Sequence, residues 1–169
     1  MPCLPSPAGL GGARVGALVT KNKSVYNTAM KFAQARLSPP GLGQILGEAA
    51  VDLPADYFNE PKAEYQSRRD LLVNRLNEME GVFCPMPGGA FSAIARLPID
   101  DGDTFCQWLL EKFTYENQTV MLAPASGFYS TPGLGKNEVR LAYVLNKESI
   151  NKAMDCLEIA LKEYPGRKS

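Results

Sequence analysis

Apolar and polar positions change period several times along this chain, and each change predicts an element. Arg14 to Thr20 is nearly continuous in apolar residues (Val15, Ala17, Leu18, Val19), which predicts a short strand. Lys21, Asn22 and Lys23 form a polar turn, and Ser24 to Leu37 then places Val25, Ala29, Phe32 and Ala33 on one helical face. Pro39, Pro40 and Gly41 break that helix, and a second is predicted from Leu42 to Val51. A long polar helix follows from Asp56 to Glu80, with Phe58, Tyr65, Leu72, Leu76 and Met79 as its apolar stripe and Pro61 marking where it begins or bends.

At Gly81 the character of the chain changes. Val82 to Cys84 and Gly89 to Leu97 read as strands. Asp100, Asp101, Gly102 and Asp103 cap a helix that carries Phe105, Trp108, Leu109 and Phe113 at i, i+3, i+4 and i+8. Thr119 to Ala123 and Glu138 to Leu145 are further predicted strands. Asn146 caps a final helix, with Glu148 favourably placed in its first turn and Ile150, Met154, Leu157, Leu161 and Tyr164 as its buried stripe. Pro165 and Gly166 end it. The run from Gly81 onward makes a compact α/β unit. The first 50 residues supply one strand and two helices, a lone strand with nothing to pair with, which is the pattern of a piece of a larger sheet domain.

Composition narrows the function. The 169 residues are 45% apolar and 21% charged, the balance of an ordinary globular protein. Lys plus Arg number 18 and Asp plus Glu 18, so a net charge of zero gives no electrostatic support for nucleic-acid or anionic-membrane partners. A small molecule or another protein is the expected partner. The absence of histidine removes Ser-His-Asp and Cys-His machinery, His-ligated zinc and histidine switching. Cys3, Cys84, Cys106 and Cys156 are far apart and form no C-x-x-C pair, so no metal site is expected. Cys106 and Cys156 fall on apolar helix faces, which points to reduced thiols and a cytoplasmic location. No apolar run reaches the roughly 18 to 20 residues that span a bilayer. Met1 to Pro7 lacks the basic stretch and apolar core of a signal peptide.

Two glycine-rich stretches fail the nucleotide patterns. Gly9-Leu10-Gly11-Gly12-Ala13-Arg14 ends on Arg14 where a glycine is required and precedes a strand instead of following one. Gly133-Leu134-Gly135-Lys136-Asn137 has Ser130 in place of the first glycine and Asn137 in place of Ser or Thr, so both read as turns.

Four segments, in order and at comparable spacing, carry a family resemblance. They are Gly12 to Val19 (G-x-R-x-G and a strand), Pro87-Gly88-Gly89-Ala90-Phe91, Val120 to Phe128 (beside a V-x-P-G-x-x-F loop), and Glu138-Val139-Arg140-Leu141-Ala142. Together they resemble the corresponding segments of class I/II aminotransferases of the aspartate aminotransferase type, which depend on pyridoxal 5'-phosphate (PLP). The resemblance implies an α/β fold in three parts: a remnant of the large PLP-binding domain (1–50), a long linking helix (51–80), and the small C-terminal α/β domain (81–169). It implies a reaction that moves an amino group between an amino acid, aspartate or glutamate first, and a 2-oxo acid. It further implies a homodimeric full-length parent.

The resemblance assigns roles residue by residue. Arg14 matches the arginine that binds the PLP phosphate, a task suited to paired, charge-assisted hydrogen bonds; read from the residues alone, it is a surface arginine flanking an edge strand. Arg140 matches the arginine that clamps the substrate α-carboxylate. It interrupts Val139 to Leu145, where both faces look apolar, so the sequence predicts that it needs a partner or a pocket. Arg36 lies near the arginine that meets the side-chain carboxylate of a dicarboxylic substrate across the dimer, and it equally suits the negative end of a helix.

The sequence departs from the family at the Schiff-base lysine. That lysine stands about eight residues before the phosphate arginine, and the matching position here is Ser6; no lysine precedes Lys21. The aromatic that stacks on the ring, the aspartate that pairs with the pyridinium nitrogen and the phosphate loop are not found either. Without the aldimine lysine the transamination cycle is not expected to run in this chain alone. A stand-alone binding or assembly domain, and part of a PLP-dependent lyase of the same fold, are the other functions compatible with these residues.

Overall fold

The computed structural model describes Gly12 and residues 14–168. Expectations on Cys3, Ser6, Gly9 and Gly11 lie outside the described residues. The chain divides into two compact units, Met1–Pro61 and Lys62–Ser169.

In the N-terminal unit, helix α1 spans Lys23–Arg36 and helix α2 spans Gly41–Val51. Asn22 begins α1: its side-chain oxygen accepts from the backbone N–H groups of Ser24 (2.9 Å) and Val25 (3.2 Å), which otherwise have no intrahelical partner. Leu37 and Ser38 follow in the left-handed region, at φ 53° and 46°, before Pro39 and Pro40 exclude further helix. A single 3-10 turn, Ala55–Phe58, comes next. The expected strand over Arg14 to Thr20 does not form; the segment carries no ladder. A strand exists only by pairing, and the described residues of this unit offer none to pair with. The helices hide little: Gly43 is their one buried residue, while Phe32 is 73%, Leu42 80% and Val51 82% exposed.

Helix α3 spans Asn59–Glu78, opening after the 3-10 turn instead of running unbroken from Asp56. Pro61 sits in its first turn, where a missing N–H costs no helical bond. Only its second half is core: Leu72, Val73 and Leu76 are buried, whereas Tyr65, expected on the stripe, is exposed. Asn77 closes the exit. Its side-chain amide donates to the Cys84 carbonyl (2.9 Å) and accepts from the Cys84 N–H (2.8 Å), so a side chain does what a neighbouring strand would do. The strand expected at Val82 to Cys84 is accordingly reduced to one bridge, Phe83 to Arg96.

Strands β1 (Ser92–Arg96), β2 (Ala123–Pro124) and β3 (Glu138–Ala142) form an antiparallel sheet in the order β1-β3-β2. Helix α4, Gly102–Glu111, starts at the Asp101 cap, whose carboxylate accepts from Thr104 N–H at 2.9 Å. Helix α5, Lys147–Glu163, starts at Asn146 as the sequence predicts. The strand expected over Thr119 to Ala123 is only the short β2, because Thr119 turns its hydroxyl onto the Leu109 carbonyl (2.7 Å) at the end of α4.

One face of the sheet packs on the helices. Ala93, Ala95, Val139 and Leu141 are buried with Leu72 and Leu76 of α3, Phe105 and Leu109 of α4, and Ile150, Met154, Leu157 and Leu161 of α5. Tyr164 closes this core. Its ring stands edge-on to Phe105 at 4.9 Å, and its hydroxyl donates to Asp100 at 2.9 Å. Burial first, then that hydrogen bond, pushes its pKa up to about 12. Arg75 of α3 ties the helices at the rim, 2.6 Å from Asp155 and 3.0 Å from Asn151 of α5.

Leu157 is fully buried and Leu110 is 56% exposed. Leu157→Ala is expected to lower unfolding free energy by about 2–5 kcal/mol, and Leu110→Ala to change it by about 0.5 kcal/mol or less, both measured by urea unfolding. Equal effects would show that the core does not sit where the helices meet the sheet. The exposed apolar residues of the N-terminal unit, on a chain of zero net charge, predict concentration-dependent association. Sedimentation velocity at increasing concentration reads this directly; a monomer throughout would contradict it.

Candidate active-site face

Alternation along β3 decides which side chains the open face of the sheet carries. Val139 and Leu141 point into the core, so Glu138, Arg140 and Ala142 point away from it. The cross-strand register sets Ile94 of β1 and Ala123 of β2 opposite Arg140, and Arg96 opposite Glu138. The expectation that Arg140 interrupts a strand apolar on both faces is therefore corrected. The strand alternates, its outer face is exposed, and Arg140 lies in the open. Val144, which made the outer face look apolar, lies past the end of β3, as does Leu145, and both are exposed.

The Arg140 guanidinium stands over the Phe128 ring, 5.0 Å from its centroid. Among the described residues no carboxylate forms an ion pair with it. Glu138, the nearest acid along the strand on this face, accepts a hydrogen bond from the Tyr129 hydroxyl, and that bond raises the tyrosine pKa. Arg96 similarly lies over Phe83 at 5.5 Å. A shallow cleft of about 230 Å³ runs along this face between Phe83, Pro85, Ile94, Arg96, Tyr129 and Glu138.

The Gly88 to Phe91 turn borders the same sheet, and Tyr143 holds it. Tyr143 is buried, its backbone N–H donates to the Phe91 carbonyl (2.9 Å), and its hydroxyl donates to the Ala90 carbonyl at 3.0 Å, with Gly89 O at 3.3 Å. Arg69 adds a hydrogen bond to the Pro87 carbonyl at 3.1 Å. Ala90 takes a left-handed φ of 63° there, which a non-glycine residue adopts only when its surroundings impose it. Sequence reasoning missed Tyr143 and Arg69. The available signal was that a tyrosine on the inward alternation of a strand must find a partner for its hydroxyl.

The other expected site residues lie in the N-terminal unit. Arg14 is exposed in a turn at φ 56°. Arg36 is the exposed last residue of α1, where its charge suits the helix end. Cys84, Cys106 and Cys156 are buried free thiols; burial raises all three pKa values, that of Cys106 to about 11, so none is poised as a nucleophile. Among the described residues no group of acidic or sulfur side chains could hold a metal ion, and no helix is long and apolar enough to cross a membrane.

An arginine on the open face of a small sheet, bordered by the Gly88 to Phe91 turn and the Phe128 turn, can be compared directly with known proteins. Residues 8–157 match the family model described as aminotransferase class I and II. The chain belongs to that family. Its members are PLP-dependent enzymes. The chain is similar to aspartate aminotransferase of Rhizobium meliloti, 29% identical over 163 residues, which cover 89% of this chain and 37% of the relative. It therefore spans little more than a third of the length of that relative. The solved alanine aminotransferase of Pyrococcus furiosus is 28% identical with a TM-score of 0.67, covering 85% of this chain and 36% of that one. The fold is also shared with α-aminoadipate aminotransferase of Thermus thermophilus, solved with N-(5'-phosphopyridoxyl)-L-leucine, at 24% identity and a TM-score of 0.73 over 90% of this chain and 39% of that one.

The turn that Tyr143 holds leads directly into β1. Tyr143→Phe is expected to cost about 1 kcal/mol, with up to about 3 kcal/mol if the Ala90 carbonyl is left without a donor. Urea unfolding measures it, and an unchanged midpoint would show that the hydroxyl bond does not hold the turn.

Proposed function

We propose that this chain supplies the C-terminal part of a PLP-dependent aminotransferase that exchanges an amino group between aspartate or glutamate and a 2-oxo acid, in a homodimeric parent of the cytoplasm. Residues 1–50 belong to its large domain, 51–80 to the linking segment that carries α3, and 81–169 to the small domain. The observation that carries this reading is Arg140: a guanidinium on the open sheet face, backed by an aromatic ring and paired with no carboxylate of the described chain. The buried free thiols support a reducing compartment.

Arg140 meets the substrate α-carboxylate with two parallel N–H donors, which fixes both the position and the plane of that group. Arg14 meets the cofactor phosphate. Arg36 meets the second carboxylate of a dicarboxylic substrate from the other subunit, where its exposed position at the end of α1 leaves it able to reach outward. PLP, when bound, supplies the electron sink of the reaction.

The donor set fits the anionic groups of cofactor and substrate, and it does not fit the cofactor aldehyde. Ser6 stands where the family has its amine, and no lysine precedes Lys21. Anchoring arginines bind ground state and transition state alike unless a reacting group is placed between them. On this reading the chain alone binds anions and does not turn over.

Purified chain mixed with PLP and reduced with borohydride is expected to show no stoichiometric label on a single lysine, and no interconversion of aspartate and 2-oxoglutarate. Labelling of one lysine, together with turnover that disappears in Arg140→Ala, would show that the amine is present in this chain after all.

A further inference from the structure

Resting on the reading of Arg140 as a carboxylate anchor, we infer that Phe128 is the positioning residue for that arginine. The guanidinium stands over its ring, 5.0 Å from the centroid, and no carboxylate of the described residues pairs with it.

The geometry begins with how firmly the ring is delivered. Phe128 ends a 3-10 turn, Ser126–Phe128, that follows β2 directly. Ala123 of β2 lies opposite Arg140 in the ladder, so the turn leaves the sheet beside the arginine. Ala125 is fully buried and its N–H donates to the Glu138 carbonyl at 2.9 Å. The Ser126 hydroxyl donates to Asp103 of α4 at 2.8 Å, and the Phe128 N–H donates to the Ala125 carbonyl at 3.0 Å. On the far side, the Tyr129 hydroxyl donates to Glu138 of β3. The Tyr129 ring lies against Gly135, at φ 70°, where a Cβ would come within 2.5 Å of it. Phe128 is thus held between an anchor before it and an anchor after it, both ending on β3.

The ring itself has no such packing. Phe128 is 60% exposed, although its neighbours Ala125 and Leu122 are buried. An exposed aromatic on a tied-down turn contributes little to the core, and its ring contact is with Arg140. A long arginine side chain on an open face would otherwise sample many rotamers, and ordering it on binding costs free energy. The stack removes part of that cost beforehand, and it leaves the charge uncompensated because a ring cannot neutralise it. Glu138, two residues away on the same face, is the acid that would compete for the guanidinium. The Tyr129 hydroxyl occupies it instead.

The test uses the full chain labelled with nitrogen-15 arginine, with succinate as the probe carboxylate. Wild type, Phe128→Leu, Phe128→Tyr and Arg140→Ala are compared after confirming equal urea midpoints, which the exposure of Phe128 predicts. The Arg140 Nε–H resonance, assigned by its loss in Arg140→Ala, is expected to show the upfield shift of a proton near a ring face. That shift should remain in Phe128→Tyr and vanish in Phe128→Leu. Succinate affinity is expected to fall roughly two- to five-fold in Phe128→Leu and to be restored in Phe128→Tyr. An Arg140 resonance unaffected by Phe128→Leu overturns the stack. A resonance that moves while succinate affinity stays constant overturns the positioning role. Succinate binding unchanged in Arg140→Ala sinks instead the reading of Arg140 as the carboxylate anchor, and the resonance arm keeps that failure separate.

Discussion

The two faces of β3 cannot be chosen independently. Its side chains alternate, so burying Val139 and Leu141 against α3, α4 and α5 commits Glu138 and Arg140 to the opposite side. The central position of β3 extends that commitment across the sheet, fixing Ile94 and Arg96 of β1 and Ala123 of β2 on the same open face. The free energy that orients Arg140 therefore comes from apolar residues on the other face of the sheet. A shift of one residue in register would bury the charge and expose the core together, which is why the orientation is secure.

Around that strand, polar side chains finish what the short ladder leaves open. Asn77 pairs with the Cys84 backbone, Tyr143 with the Ala90 carbonyl, and Thr119 with the Leu109 carbonyl. Each satisfies a backbone group where no strand or helix continues. The consequence is a small sheet with well-defined borders, the Gly88 to Phe91 turn at one end of β1 and the Ser126 to Phe128 turn after β2, the latter carrying the ring beneath Arg140. The N-terminal unit contrasts with this. Asn22 caps its first helix, yet its helices bury almost nothing and leave Phe32, Leu42 and Val51 in the open. Local signals suffice for a helix to form, but its apolar face is covered only by tertiary partners.

The family assignment and the geometry bear on different questions. The family fixes the class of chemistry and its cofactor. The geometry shows an arginine on an open sheet face over an aromatic ring, and three buried thiols with raised pKa values. The matched stretch covers 37% of its aspartate aminotransferase relative.

Much was legible in the sequence because the signals were local. The caps at Asp101 and Asn146, the stop at Pro39-Pro40, and the buried stripe Ile150, Met154, Leu157, Leu161 and Tyr164 all depend on residues within a few positions of one another. The four segments that resemble the family are likewise contiguous stretches. What the sequence could not decide required a partner distant along the chain. Arg14 to Thr20 is apolar enough for a strand and forms none, because strand formation depends on a neighbour and the described residues of its unit supply none. Arg140 looked enclosed because the apolar residues after it were read as part of the strand; only the end of the ladder at Ala142 shows that its face is open. Phe128 and Arg140 are twelve residues apart in sequence and meet only because β2 and β3 are paired. Periodicity can assign a residue to a face, but which side chains share that face is determined by the register of the folded sheet.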